Sequence, residues 1–260
     1  PAFSVTYNGF VKQGAIELND LTGEPGYITT ADEFSAVGTY PIEPNTGSLN
    51  SRNYSFSFIS GNLAIGKKML TVKAVDQTKI YGEVNPVLTA AYEGFANQES
   101  FATSKITGVP ALSTQATQFS SVSTYDITAA IGDLASNNYS FEFAKGTLTI
   151  NKKTLAVRAN NQSKTFGEEN PVFTVTYNGF VSNAGQELND LSGTADYSTL
   201  AGRYSDVGTY DINPSVGTLS SGNYAFAFEK GTIAINKKAI TITALDKSKV
   251  YGEKNPAFSV

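Results

Sequence analysis

The side chains that could carry out chemistry in this chain are carboxylates, amides and lysines, because its 260 residues include no histidine and no cysteine. That composition excludes Ser-His-Asp and Cys-His catalytic devices and the usual ligand sets of structural zinc. Carboxylate-pair hydrolysis needs candidates such as Glu83, Glu168 and Glu253. Each of these follows a Tyr-Gly or Phe-Gly pair, which favours a role in turn geometry. We therefore expect no enzymatic activity, no catalytic residue and no cofactor.

Calcium binding is the second chemistry to consider, because calcium takes carboxylate, amide and carbonyl oxygens as ligands. Two groups of residues supply such oxygens at the same place in successive copies of the sequence: Asn19-Asp20 with Asn189-Asp190, and Asp76 with Asn161 and Asp246. None of them lies in the dense Asp-x-Asp-x-Asp-Gly pattern of a calcium loop. Solvated loops are the better interpretation, and we predict no metal site.

A covalent crosslink is the third chemistry. A Lys-Asn isopeptide bond needs both partners buried beside a carboxyl group, and Lys153 with Asn138 or Asn223 is a pair to test. The spacing does not require the bond, so the question stays open at this point.

Aromatic residues could form a platform for glycans, since the chain has 14 tyrosines and 16 phenylalanines. Most of them stand at alternate positions of candidate strands or in turns, where core packing is the expected role. Tryptophan, which carbohydrate platforms favour, does not occur. We therefore assign the aromatic residues to the core.

An internal repeat determines which elements hold these residues. Four prolines stand 85 residues apart, at Pro1, Pro86, Pro171 and Pro256. A unit of that length lies within the size range of domains that bury their own core. We predict a first repeat that lacks its N-terminal strand, two complete repeats, and the first strand and turn of a fourth, at 1–66, 67–151, 152–236 and 237–260.

Hydrophobic periodicity predicts strands nearly throughout each repeat. Tyr139, Phe141 and Phe143 alternate with Ser140, Glu142 and Ala144, as in a strand with one buried face. The same pattern recurs at 54–58 and 224–228. Lys145-Gly146 then predicts a tight turn and a terminal hairpin.

The fold class follows from these strands. The one candidate for a helical turn is at residues 17–21, with a counterpart at 187–191. We expect an all-β tandem array whose units are immunoglobulin-like β-sandwiches. A β-grasp-like sheet with one short helix is the alternative.

The junction between repeats contains no Gly-Ser or Pro-rich linker. Over residues 146–157 the last strand of one repeat runs almost directly into the first strand of the next. The buried parity changes at Lys152-Lys153, because the strand must present a different face to the following core. We interpret these lysines as charged side chains exposed to solvent at a narrow junction between domains. We predict that the tandem repeats form an elongated, rigid rod.

Charge and hydropathy limit the partners. The formal net charge is −4 and the pI is near 5.0, which argues against a nucleic-acid surface. No apolar run approaches the roughly 20 residues that a membrane-spanning helix needs. We expect that this fragment does not bind nucleic acid, and that it contains no membrane segment.

Six short motifs recur in the same order and at fixed spacing. They are Lys-Lys-x-Leu-x-Val-x-Ala, residues 76–86, Gly94-Phe95, Thr124-Tyr125, Asn138-Tyr139 and Gly146-Thr147-Leu148. This order of motifs resembles that of the MBG/YDG-type repeats of large bacterial cell-surface and adhesin-like proteins. The third unit departs from the pattern with Phe166-Gly167 in place of Tyr-Gly. The resemblance implies mostly β domains, tandem arrays on secreted or surface-anchored proteins, and no catalytic residues.

We therefore expect a structural stalk or filament segment of an extracellular, bacterial surface protein, whose partners are neighbouring repeats. The alternative is an adhesive module that binds a host or matrix glycan or protein directly. An exposed apolar patch on one unit only would favour that alternative.

The two ends suggest a head-to-tail relation. Residues 256–260 repeat residues 1–5 letter for letter, and 237–260 supply the strand and turn that the first repeat lacks. Either the chain is a window cut from a longer array, or the tail of one molecule completes the head of the next by strand addition.

Overall fold

The computed structural model describes residues 2–257, and the secondary structure of this part is entirely β. The predicted helical turns are wrong: residues 17–21 and 187–191 end short ribbons and then run in irregular chain. The predicted alternative that included one short helix therefore does not apply. Because these residues form no helix, no helix of the described chain could cross a membrane.

The chain divides into two compact units. The first contains the chain up to Lys79, Val84–Thr117 and Ser123–Thr149. The second contains Ile80–Glu83, Gln118–Val122 and the chain from Ile150 onward. The tip of the second repeat therefore belongs to the same compact unit as the third repeat.

The first repeat forms five strands. They are β1 (Lys12–Gln13), β2 (Ile16–Glu17), β3 (Gly26–Ile28), β4 (Gly38–Asn45) and β5 (Gly61–Ile65). Strands β1 and β2 make a small ribbon, and β3, β4 and β5 make an antiparallel sheet in that order.

The second repeat forms seven strands. They are β6 (Lys68–Ala74), β7 (Gln77–Ile80), β8 (Ala90–Glu93), β9 (Ala111–Thr114), β10 (Thr124–Ala130), β11 (Tyr139–Ala144) and β12 (Gly146–Asn151). One sheet has the order β11-β6-β8, and the other has the order β7-β12-β10-β9. The first strand, β6, lies at the centre of its sheet, parallel to β11 and antiparallel to β8.

The third repeat follows the same plan with an added ribbon. Its strands are β13 (Lys153–Ala159), β14 (Gln162–Thr165), β15 (Val175–Asn178), β16 (Ser182–Asn183), β17 (Gln186–Glu187), β18 (Asp196–Ser198), β19 (Gly208–Ser215), β20 (Tyr224–Glu229) and β21 (Gly231–Asn236). The sheets are β15-β13-β20 and β14-β21-β19-β18, with β16 paired to β17.

The core of the third repeat lies between its two sheets. Ala159 of β13 packs with Ile212 of β19 and with Ile233 and Ile235 of β21. Seven strands divided four and three into two packed layers are the architecture of an immunoglobulin-like sandwich. The predicted all-β sandwich is confirmed, with the difference that each sheet of this repeat contains a parallel pair.

The predicted terminal hairpin is wrong. Only Lys145 separates β11 from β12, yet the two strands lie in different sheets. Gly146 is a glycine for a steric reason, because a Cβ there would lie 2.3 Å from the carbonyl oxygen of Ala74 at the end of β6. Gly231 meets the carbonyl oxygen of Ala159 in the same way, at 2.4 Å. The Lys-Gly step thus moves the chain from one layer to the other beside the first strand.

The alternating segment at residues 54–58 of the first repeat is not a strand, contrary to the prediction. Its counterparts β11 and β20 pair in parallel with β6 and β13. The first repeat contains no counterpart of β6 within the described residues, so this segment has no neighbour to complete its hydrogen bonds. A correct period-two pattern therefore forms a strand only where its partner is present.

We expect Gly231→Ala to lower the free energy of unfolding by about 1–3 kcal/mol, because the new methyl group would displace backbone between two sheets. Gly61→Ala is the matched control, since Gly61 has the same place in the first repeat and nothing lies within 4 Å of its added Cβ. Urea unfolding, with amide exchange to assign each transition, measures both. Equal effects would contradict the steric explanation.

Candidate functional site at the joint between repeats

The joint between the second and third repeats contains one linking residue. Strand β12 ends at Asn151 and β13 begins at Lys153, so only Lys152 stands between them. Leu148 and Ile150 are buried on one side of it, and Leu155 and Val157 on the other. The prediction of a junction without a linker, with a change of buried parity, is confirmed.

Lys152 is exposed but has a defined contact. Its Nζ donates to the backbone carbonyl of Ser221 at 2.7 Å. Lys67 makes the equivalent bond to Ser136, also at 2.7 Å. In the second and third repeats, the first lysine of the pair therefore fastens the start of the repeat to a loop of that same repeat.

An aromatic platform lies at the head of the third repeat and is built around Tyr224. The Tyr224 hydroxyl donates to the carbonyl of Leu188 at 2.8 Å and accepts from the amide of Val181 at 3.0 Å. Phe180 packs edge-on against the ring, with centroids 5.4 Å apart. Burial raises the pKa of Tyr224, so the hydroxyl keeps the proton that it donates.

The Tyr-Gly turn of the second repeat covers this platform. The Tyr81 ring stands perpendicular to that of Tyr224, with centroids 5.5 Å apart, a favourable edge-to-face arrangement. Gly82 has a φ of +89°, and a Cβ on it would lie 2.4 Å from Cγ2 of Val181. Only glycine satisfies both the backbone conformation and the close approach. Val181 is consequently 6% exposed.

The first repeat has the same platform without the cover. Phe10 packs edge-on against Tyr54 at 5.4 Å, and the Tyr54 hydroxyl donates to Leu18 at 2.6 Å. Val11, the counterpart of Val181, is 59% exposed. The difference between the two valines measures what the Tyr-Gly turn buries.

Asn223 provides the polar contact of the joint. Its Oδ1 accepts from the amide of Val122 in the second repeat at 2.9 Å, and its Nδ2 donates to Asp190 at 3.0 Å. Asn138 accepts from Val37 of the first repeat in the same way, at 3.1 Å. The asparagine of the Asn-Tyr motif therefore joins successive repeats, a role that the sequence analysis missed although the 85-residue spacing marked the motif.

The candidate calcium residues organise the loops beside this asparagine. Asp190 accepts from the hydroxyl of Ser221 at 2.6 Å and from the amides of Gly222 and Asn223 at 3.1 and 3.0 Å. Asp20, the counterpart of Asp190 in the first repeat, accepts a hydrogen bond from the hydroxyl of Ser51 in the same way. This hydrogen bond is the main reason that the pKa of Asp20 is lowered. Across residues 2–257 no three carboxylates, imidazoles or thiols come together as metal ligands.

The other acidic and amide candidates fasten the last strand of each repeat. Asp76 accepts from the amide of Thr147 at 2.7 Å, and Asn161 accepts from that of Thr232 at 2.9 Å. Asp246 lies in exposed, irregular chain. Oxygen-rich positions that suggested calcium thus have structural hydrogen bonds in both complete repeats.

The glutamates of the Tyr-Gly segments shape their turns, as predicted. The carboxylate of Glu83 accepts from the amide of Ile80 at 2.9 Å, and the amide of Glu83 donates back to the carbonyl of Ile80 at 3.1 Å. Glu168 and Glu253 repeat the first of these bonds at 2.7 and 3.3 Å. A reciprocal cap of this kind holds the turn that presents Tyr81.

Buried lysines that the sequence analysis did not single out anchor the loop that reaches the next repeat. Lys164 Nζ donates to the carbonyls of Gly202 and Glu168 at 2.6 and 3.1 Å, and Lys79 Nζ donates to Thr117 at 2.7 Å. Asn170 adds a bond to Ala201 at 2.6 Å. The available signal was a lysine that recurs two residues before each Tyr-Gly or Phe-Gly pair.

The isopeptide hypothesis meets a physical obstacle at Asn223. Both ends of its amide group are already engaged, with Asp190 and with Val122. A bond to Lys153 would release Nδ2 as ammonia and so remove its hydrogen bond to Asp190, whereas Oδ1 would remain as the acceptor for Val122.

A family model described as "MBG domain (YGX type)" matches residues 1–64, 70–149 and 155–234. The chain belongs to the MBG domain family. The Tyr-Gly-x segment of this MBG chain is the turn at 81–83 that covers the neighbouring repeat.

Other comparisons add little to this assignment. No curated protein matches the chain. Among solved structures, it is similar to the I9-I11 tandem of titin, at 9% identity over 87% of each chain and a TM-score of 0.24. A likeness of that size supports no conclusion, and the fold described above rests on the strands of the MBG chain itself.

We expect Asn223→Ala to increase the exchange rate of the Val122 amide roughly fivefold, because its acceptor is lost and a net hydrogen bond contributes about 1 kcal/mol. Asn53→Ala is the control, since Asn53 also donates to Asp20 at 2.9 Å but lies at the uncovered platform. Amide exchange followed by NMR measures both variants. Unchanged protection of Val122 in Asn223→Ala would contradict this account.

We also expect Gly82→Ala to destabilise the protein more than Gly167→Ala, by about 1–3 kcal/mol. The two glycines have nearly the same φ, +89° and +91°, so the strain in the turn is matched. Only Gly82 faces Val181, whereas nothing lies within 4 Å of a Cβ on Gly167. Thermal and urea unfolding give the difference, and equal losses would show that Val181 yields without cost.

Proposed function

We propose that this MBG chain is a stalk or filament segment of a bacterial extracellular or surface protein, in which tandem sandwiches project or link other parts. The observation that carries the proposal is the joint: one linking residue, one asparagine bond to the preceding repeat and one covered aromatic platform. Such a joint restricts bending between domains without any added linker. Its function is mechanical and needs no ligand.

In the third repeat, the strands by which the chain enters and leaves are placed to resist a pulling force. The chain enters through β13, which has hydrogen-bonded neighbours on both sides, and leaves through β21, which also lies between two strands. A pull along the chain therefore acts on interior strands and not on sheet edges. Their hydrogen-bond ladders must shear before the fold opens.

The tip of the third repeat presents the elements that the second repeat uses at its own joint. Phe166 takes the place of Tyr81 but is 38% exposed, against 4% for Tyr81. The loop that ends in Val207 is anchored by Lys164 and Asn170, as the loop of the second repeat is anchored by Lys79. These features support an array in which each tip covers the next platform.

A non-catalytic role is part of the proposal. The glutamates that could act as a carboxylate pair are bound to the amides of their own turns. The extracellular location is proposed from the resemblance to surface-protein repeats described above.

The adhesive alternative remains a prediction with less support. The exposed apolar residues at the tip of the third repeat, such as Phe166 and Val207, are counterparts of the joint residues Tyr81 and Val122. Their exposure is explained by the joint, so they do not require a glycan or protein ligand.

Distance measurement across the joint tests the proposal. Lys73→Cys and Arg158→Cys place spin labels at equivalent exposed positions of β6 and β13, and the chain has no native cysteine to interfere. We expect one narrow distance distribution, which broadens when Tyr81→Ala and Asn223→Ala remove both contacts of the joint. Pulsed electron paramagnetic resonance gives the distributions. A broad distribution without those two substitutions would mean a hinged chain and would overturn the stalk proposal.

A further inference from the structure

The second repeat lacks a carboxylate that the other two repeats have, although it keeps the groups that bind it. In the first repeat Asp20 accepts hydrogen bonds from three groups of one loop: the hydroxyl of Ser51 at 2.5 Å, the amide of Arg52 at 3.1 Å and Nδ2 of Asn53 at 2.9 Å. Asp190 accepts from the counterparts of the same three groups in the third repeat. The residue at this position of the second repeat is Lys105.

The loop that supplies these donors keeps its internal hydrogen bonds in the second repeat. The amides of Asn138 and Tyr139 donate to the hydroxyl oxygen of Ser136 at 3.2 and 3.1 Å. The equivalent bonds of the third repeat, to Ser221, measure 3.0 and 2.8 Å. An isolated β-bridge beside the loop also recurs in all three repeats. The loop therefore holds its conformation without a carboxylate to organise it.

Three donors of this loop have no hydrogen-bond acceptor among residues 2–257. They are the hydroxyl of Ser136, the amide of Asn137 and Nδ2 of Asn138. The side chain of Asn138 is oriented, because its Oδ1 accepts from the amide of Val37 at 3.1 Å. Asn223 is oriented in the same way, and its Nδ2 donates to a carboxylate. The second repeat thus presents the same donors to a position that no acidic side chain fills.

Lys105 brings a positive charge to this position. It lines one cavity together with Ser136, Asn137 and Asn138, and none of the described residues that line the cavity carries a carboxylate. The φ of Lys105 is +57°, a left-handed conformation that favours glycine or asparagine over lysine. The turn therefore does not explain the lysine. An ammonium group beside three unpaired donors is an arrangement that binds an anion.

We propose that the second repeat binds the carboxylate of a small organic anion at the position that Asp20 and Asp190 fill in their own repeats. The bound carboxylate accepts from the three loop donors, and Lys105 neutralises its charge. These hydrogen bonds are charge-assisted, which makes them stronger than bonds between neutral groups. The site goes beyond the proposed stalk function, which needs no ligand, and it gives the second repeat a binding role of its own.

Titration of the ¹⁵N-labelled 260-residue chain with acetate, followed by NMR, tests the site. Acetate replaces chloride at a constant ionic strength of about 0.1 M, so that screening of surface charges does not change. We expect the amide proton of Asn137 to move downfield, because it gains a charged acceptor. The amides of Arg52 and Gly222 are internal controls, since each already donates to a carboxylate at 3.1 Å. An unchanged Asn137 amide, or equal shifts at all three amides, overturns the proposal.

Two substitutions of the lysine test its part in the site. Lys105→Asp places a carboxylate where the other repeats have one, and it should raise the Kd for acetate at least about tenfold. Lys73→Asp is the matched control, because it makes the same change of net charge at an exposed position of β6 in the same repeat, and it should bind as the unaltered chain does. Lys105→Ala removes only the charge and should weaken binding severalfold, which keeps the test valid if the aspartate variant does not fold. Acetate binding that is unchanged in the folded Lys105 variants overturns the proposal.

Glucuronate and glucose distinguish the sources of the carboxylate. A free organic acid and an acidic sugar offer the same group, and binding of either supports the proposal. Affinity for glucuronate equal to or below that for acetate would assign the site to a free organic acid. Tighter binding of glucuronate, with no response to glucose, would assign it to an acidic sugar. Glucose that shifts the Asn137 amide as strongly as glucuronate does would overturn the proposal, because glucose has no carboxylate.

Discussion

Each complete repeat depends on the position of its first strand. Strands β6 and β13 lie at the centre of three-stranded sheets, so two later segments of the repeat take their hydrogen bonds from them. In the first repeat, whose described residues include no such strand, residues 54–58 are irregular and Ile42 is only half-buried.

At the joint, the same residues contribute to the fold of the third repeat and to its contact with the second. Tyr224, Asn223 and Asp190 hold the head of the third repeat together, and the first two also contact the second repeat. A residue that serves both the fold of one domain and its contact with another links the stability of the two. Gly82 allows this contact, because any side chain at its position would meet Val181.

The second repeat keeps the platform but changes its partners. Lys105 stands where the other repeats have Asp20 and Asp190, so the asparagine there lacks the carboxylate neighbour. The Tyr139 hydroxyl donates to the carboxylate of Glu99 at 2.5 Å in place of a backbone carbonyl. Burial, and then this hydrogen bond, raise the pKa of Tyr139. Two different loops therefore support the same edge-to-face pair of aromatic rings.

The sequence by itself determined the repeat period, the all-β class, most strand positions and the absence of a linker, because identity at fixed spacing and period-two alternation are local patterns. It also indicated the turn role of Glu83, which depends on residues three positions apart. Tertiary structure alone decided that Lys145-Gly146 crosses between sheets and that 54–58 is not a strand, because pairing depends on partners about 70 residues away. Asn223 and Lys164 escaped sequence reasoning for the same reason: the groups that they bind, Val122 and Gly202, are brought to them only when distant loops pack together.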